Sequence, residues 1–208
     1  MCNNSAKSPG FTLVELMITL AIAGILLAVG IPSFNSMISS SRLTSYANEF
    51  VTALNLARSE AVKRGMSVTV RKVDNNSFTN KGAGANWEDG WDVFTDTDSD
   101  GKFEAGDVLI RTFAPLQSFY TLRGNGIILS DYALFMSSGQ TNTLGGSFVI
   151  CDDSDGNGVP EANTSRLIIV NSTGRVRMGI DANNDGIPNT NNTATPASNI
   201  TSCTPPFS

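Results

Sequence analysis

The stretch that decides the fold is Gly10-Phe11-Thr12-Leu13-Val14-Glu15-Leu16-Met17-Ile18-Thr19-Leu20-Ala21-Ile22-Ala23-Gly24-Ile25-Leu26-Leu27-Ala28-Val29-Gly30-Ile31. Its only charged residue is Glu15. A helix over residues 11–31 rises about 30 Å, the thickness of a bilayer's hydrocarbon core. Ahead of it, residues 1–10 are short and polar, with one positive charge at Lys7. An ordinary secretory signal has a shorter apolar region, with its cleavage site behind it. Here the polar leader comes first, so a cut after Gly10 leaves the apolar helix on the mature chain. The expected organisation is a leader over 1–10, a transmembrane or filament-core helix over 11–31, its continuation over 32–65, a β head over 66–180 and an irregular tail over 181–208.

Glu15 is the exception in the run. A carboxylate inside a membrane span costs about 3 kcal/mol and is functional by default. Cleavage after Gly10 creates an α-amino group at Phe11, about one helical turn away. In an assembly, Glu15 of one subunit would neutralise that amine on its neighbour. The other reading is a glutamate that snorkels to the headgroups without a partner.

Gly10-Phe11-Thr12-Leu13-Val14-Glu15, followed by a long apolar helix, resembles the prepilin processing motif of type IV pilins and type II secretion pseudopilins. The resemblance implies that a membrane-bound prepilin peptidase cuts between Gly10 and Phe11 and that Phe11 is N-methylated. It implies a filament subunit and no enzyme, with no small-molecule substrate. The expected location is the bacterial inner membrane, as a single-pass protein with its head in the periplasm, before assembly into a pilus or pseudopilus. The expected partners are other major and minor pilins or pseudopilins.

Pro32 follows the run and is expected to kink the helix without ending it. Beyond it, Leu43, Tyr46, Ala47, Phe50, Val51, Leu54, Ala57 and Ala61 recur at helical spacing, a stripe suited to packing on a sheet. Arg58, Glu60, Lys63 and Arg64 lie off the stripe. Gly65 is suited to end the helix. The pattern then changes to short alternating runs bounded by Gly, Asn and Asp. Strands are expected at 67–73, 91–94, 108–113, 119–122, 127–129, 133–136, 147–150, 166–170 and 175–180. The fold class is therefore α+β, a long Pro-kinked helix packed on an antiparallel, sandwich-like head.

Ala57-Arg58-Ser59-Glu60-Ala61, then Trp87-x-x-Gly90-Trp91 and an Asp-rich turn, looks like the GspH/FimT family of minor pilins and pseudopilins. That resemblance implies a sheet set against the long helix and a place at or near the tip of a pilus or pseudopilus. Trp87 and Trp91 are expected in the core.

Composition narrows the chemistry. The chain has 208 residues, no histidine and a net charge of −5. Without histidine, Ser-His-Asp and Cys-His catalysis and most zinc sites are excluded. A net negative chain has no bulk attraction for nucleic acid, so any such contact needs a local basic patch. Cys2 leaves with the leader, and Cys151 and Cys203 are an even pair suited to a disulfide in an exported protein.

Leu167-Ile-Ile-Val170, Asn171-Ser-Thr-Gly174 and Arg175-Val-Arg-Met178 read as a β-hairpin with its turn at 171–174. A two-residue period puts Arg175 and Arg177 on one face. Their planar forks suit phosphate oxygens. Gly174-Arg175-Val176-Arg177 resembles the Gly-Arg-x-Arg motif by which FimT-type minor pilins bind DNA during uptake, which would make double-stranded DNA a partner. Arginines on such a face are otherwise solvated or paired with acids. Arg71, Lys72, Arg123 and Arg166 are further basic residues that would extend the patch.

Asp96-Thr-Asp98-Ser-Asp100-Gly101 has the spacing of an EF-hand loop front, with Glu104 and Asp107 where the ninth and twelfth ligands fall. Residues 153–158 and 181–186 repeat the spacing less completely. Calcium is the one cofactor this raises, although none is required. The same residue types are also the commonest turn formers. The resemblances together imply a minor pilin of a type IV pilus, a structural subunit that primes assembly near the tip, with non-specific DNA contact as a further expectation. The alternative is a GspH-like minor pseudopilin of a type II secretion system.

Overall fold

Helix α1 spans Leu13–Arg64, Pro32 included. The computed structural model describes residues 10–73, 86–125, 131–142, 144–190 and 198–207, except the side chains of 29–33 and 35. The expected strand at 127–129 and the leader residues 1–9 lie outside the described residues. The chain divides into two units, Met1–Ser39 and Ser40–Ser208.

In the first unit, Leu13, Val14, Leu16, Met17, Ile18 and Leu20 are all exposed. These near-consecutive positions cover every side of a helix, the pattern of a segment built for an apolar environment. Among the described residues, no helix is long and apolar enough to cross a membrane.

In the second unit, eight strands follow α1 among the described residues: β1 Val68–Lys72, β2 Trp91–Thr95, β3 Leu109–Phe113, β4 Tyr120–Asn125, β5 Tyr132–Phe135, β6 Gly145–Asp152, β7 Ser165–Asn171 and β8 Val176–Met178. They form two four-stranded sheets, ordered β3-β2-β1-β5 and β4-β6-β7-β8. Every pairing is antiparallel. The head is therefore α+β, as the sequence pattern requires.

The helical stripe explains how the layers join. Leu43, Ala47, Phe50, Leu54, Ala57 and Ala61 are buried in one core with Val70, Trp91 and Phe135 of the first sheet and Leu122, Phe148, Ile150 and Ile168 of the second. Tyr46 and Val51 pack at its margin. Phe50 is the centre, with edge-on ring contacts to Trp87 at 5.4 Å, Trp91 at 5.0 Å and Phe148 at 4.7 Å. Each such contact adds about 1 kcal/mol beyond burial. Gly90 lies between the two tryptophans in the chain. It has φ +109°, and a Cβ there would lie 2.8 Å from the Phe113 carbonyl oxygen.

A second, smaller core forms on the other face of the β4-β6-β7-β8 sheet. Val149, Cys151 and Leu167 pack there with Ile200, Cys203 and Phe207. The tail, read as irregular, thus covers sheet. It is pinned by the Ile200 N–H on the Pro188 carbonyl (3.1 Å) and the Cys203 N–H on the Gly158 carbonyl (2.9 Å). The Cys151–Cys203 disulfide completes the attachment.

Candidate functional site

The β7–β8 hairpin pairs Ile168 with Met178, Ile169 with Arg177 and Val170 with Val176. Val176 and Met178 pack on the main core. Strand alternation therefore turns Arg177 to the opposite face, beside Ile169. Arg175 precedes β8 and is exposed. Among the described residues, neither guanidinium has an acid partner or a side-chain hydrogen bond. The two positive charges stay available to an external anion.

The turn before them is fixed at several points. The Gly174 N–H donates to the Asn171 carbonyl at 2.9 Å. Asn171 Oδ1 accepts from the Thr173 hydroxyl at 2.7 Å and from the Arg175 N–H at 2.9 Å. Gly174 has φ +74°, and a Cβ there would stand 2.0 Å from the Gly139 carbonyl oxygen, so only glycine fits. From α1, Arg58 donates its Nε–H to that Gly139 carbonyl at 3.0 Å and an Nη2–H to the Thr173 carbonyl at 3.3 Å. The Thr141 N–H donates to the Ser172 carbonyl at 3.2 Å.

The other basic residues do not extend the patch. Lys72 pairs with Asp131 at 2.8 Å, and Arg123 pairs with Glu88. Arg71 donates to the Gly101 carbonyl. Arg166 reaches the Ser40 hydroxyl at 3.0 Å and the Thr44 hydroxyl at 3.2 Å on α1. Burial draws its pKa below the usual arginine value. The pairing of strands dispersed these four residues. Arg58, part of the Ala57–Ala61 motif, is the residue whose place in this turn the sequence did not show. It sits off the apolar stripe, and only its long-range partners reveal its place in the turn.

At the amino-terminal end, Gly10 and Phe11 are exposed. Thr12 and Glu15 form a reciprocal cap: Glu15 Oε2 accepts the Thr12 N–H and hydroxyl, and Thr12 Oγ1 accepts the Glu15 N–H. Thr12-x-x-Glu15 is the sequence signature of such a capping box, and that signal was legible beside the membrane reading.

The first Asp-rich loop brings Asp96, Asp98 and Asp100 together, each offering an oxygen within 4.8 Å of the others. Glu104 and Asp107 do not join them. Asp107 instead accepts the Thr97 N–H at 3.1 Å and the Glu104 N–H at 3.0 Å. Asp96 is fully buried. It accepts the Thr69 hydroxyl at 2.7 Å, the Gly101 N–H at 2.9 Å and the Asp100 N–H at 3.2 Å. Burial raises its pKa above the ordinary aspartate value, against the pull of those donors. Asp100 is paired with Lys102. Calcium takes six to eight oxygens, and three of the five expected side chains converge. The other two loops repeat the closure, with Asp153 accepting the Gly158 N–H at 2.8 Å and Asp181 accepting the Gly186 N–H at 2.7 Å.

Comparison with known proteins gives two family matches. "Type II transport protein GspH" matches residues 46–174, and "Prokaryotic N-terminal methylation motif" matches residues 5–31. The first takes in Arg58, both tryptophans and the 171–174 turn, and stops before Arg175. A fimbrial protein of Pseudomonas aeruginosa is 41% identical over 59 residues, 28% of this chain and 38% of that protein. Fimbrial protein Q of Moraxella bovis is 38% identical over 68 residues, 33% of this chain and 43% of that one. The chain thus spans less than half the length of these curated relatives. Among solved structures, the type IV minor pilin FimU of Pseudomonas aeruginosa aligns with a TM-score of 0.50 at 19% identity, covering 67% of this chain and 90% of that one. That likeness is one of fold.

Proposed function

The chain belongs to the GspH family of type II transport proteins, structural subunits and not enzymes, and from that premise we propose that it is a minor pilin of a type IV pilus. Prepilin peptidase cuts between Gly10 and Phe11, and Phe11 is methylated. The apolar helix then anchors the chain in the inner membrane, with the head in the periplasm, until subunits assemble. The exposed apolar side chains of the first unit support this, since lipid or packed helices would cover them. The Glu15 carboxylate neutralises the Phe11 amine of a neighbouring subunit, and the chain helps prime assembly near the filament tip.

In this reading the head also contacts double-stranded DNA through Arg175 and Arg177. The observation that carries it is their lack of any acid partner among the described residues, in a head that is otherwise acid-rich. The contact is phosphate-directed and independent of sequence. The test is a gel-shift series over salt concentration with the processed chain in detergent, beside Arg175→Ala/Arg177→Ala. Loss of salt-sensitive binding in the double variant, with a slope lower by about two units, supports the reading. Absence of wild-type binding at low salt removes DNA contact. A minor pseudopilin of a type II secretion system then stands level with the pilin reading, favoured by the family match itself.

A further inference from the structure

The 171–174 turn is tied to a second turn from a different part of the chain. Gly139 closes that second turn, with its N–H on the Met136 carbonyl at 2.8 Å. Gly174 packs against the Gly139 carbonyl with no room for a side chain. Arg58 spans the two, one arm of its fork on the Gly139 carbonyl and another on the Thr173 carbonyl. Among the described residues it has no acid partner, so carbonyl oxygens take its hydrogen bonds.

We propose that Arg58 is the positioning residue of the phosphate-binding turn, a planar clamp that locks residues 171–174 against Gly139 and so presents Arg175 from a fixed backbone. The inference rests on the DNA reading above. Two carbonyls on separate segments need donors at fixed separation and direction. A guanidinium fork supplies these, and a lysine ammonium on a flexible stem does not. The Arg175 N–H is held by Asn171 Oδ1, so ordering of the turn passes directly to the Arg175 backbone. A clamp of this kind raises affinity by removing an ordering cost before the ligand arrives, without adding a contact to the ligand.

The last point separates the proposal from its rivals. A residue that touches phosphate changes both affinity and the salt slope, whereas one that positions another changes affinity alone. The experiment uses the processed full-length chain in detergent, as wild type, Arg58→Ala, Arg58→Lys and Arg175→Ala/Arg177→Ala. Binding of a short double-stranded DNA is measured over a salt series. Hydrogen exchange is followed by mass spectrometry in peptides covering 136–142 and 170–176. The expected result for Arg58→Ala is affinity lower by about tenfold at an unchanged salt slope, with faster exchange in both peptides together. Arg58→Lys falls between it and wild type, and carries the comparison should the alanine variant not fold. A slope lower by about one unit would mean that Arg58 itself contacts phosphate and overturns the proposal. Faster exchange with unchanged affinity also overturns it, by making the clamp merely structural. If wild type binds no DNA, the functional reading fails. The positioning role falls with it, and exchange that still rises in both peptides of Arg58→Ala then shows a clamp that is structural alone.

Discussion

Glu15 Oε2 accepts both the N–H and the hydroxyl of Thr12, each at 2.9 Å, while Thr12 Oγ1 accepts the Glu15 N–H at 3.2 Å. The carboxylate in the apolar segment therefore has a role inside its own chain, closing the first turn of α1. It also has the proposed role between chains, neutralising an amine. Glu15→Gln separates the two, because glutamine keeps an acceptor and removes the charge. Glu15→Ala and Glu15→Gln are both expected to be processed to the mature mass and to be absent from purified filaments. Thr12→Ala is expected to weaken the helix start by about 1 kcal/mol and still assemble. Normal incorporation of Glu15→Gln would show that assembly needs the cap and not the charge.

Processing is tested at the other side of the cleaved bond. Gly10→Leu places a bulky side chain where the motif has none. The variant is expected to keep residues 1–10, by intact mass, and to stay out of filaments. Recovery of a chain beginning at Phe11 would contradict the prepilin assignment.

The Cys151–Cys203 disulfide closes a separation of 52 residues and holds the tail over the second core. In the chain-entropy account, such a loop contributes about 4 kcal/mol. Replacing both cysteines by serine is expected to lower the urea midpoint accordingly and to make residues 198–207 the first site of proteolysis. A midpoint within error of wild type would mean that packing of Ile200 and Phe207 suffices.

Asp96 makes stability depend on pH in a defined direction. Burial raises its folded pKa above the unfolded value near 3.8. The folded state then holds the proton more tightly than the unfolded chain, so this residue's contribution declines as pH rises from the unfolded value through the folded one. It is largest below the unfolded value and lowest at neutral pH. Asp96→Asn is expected to flatten that decline in melting curves. Asp96→Ala, which orphans the buried Thr69 hydroxyl and Gly101 N–H, is expected to cost about 3 kcal/mol. The same melts in excess calcium and in chelator decide the cofactor expectation. A rise in calcium means that the cluster holds the ion, and equal temperatures mean that the loop closes on its own donors.

Gly174→Ala is expected to destabilise the head by about 2 kcal/mol or more. A Cβ there meets the Gly139 carbonyl at 2.0 Å, on a backbone with positive φ. Thermal melting reads this directly, and an unchanged melting temperature would mean that the two turns part easily.

The sequence by itself determined what is local or periodic. The apolar run with its lone glutamate, the helical stripe from Leu43 to Ala61 and the alternating strands each follow from spacing along the chain. Most strand positions agree within two or three residues. The 171–174 hairpin was legible for the same reason, because its turn residues and alternation are neighbours in the chain. Tertiary structure alone decided which charges remain available. Lys72 and Arg123 look like Arg177 in a sequence, yet the fold brings Asp131, just before β5, to the first and Glu88, from the short turn over Trp87–Asp89, to the second, and no acid to the third among the described residues. It also turned an Asn- and Thr-rich tail into the cover of a sheet. Arg58 shows the physical reason most directly. Its partners lie 81 and 115 residues away. Periodicity says which face a side chain takes, but contacts over that separation exist only once two sheets and a helix have set their mutual register.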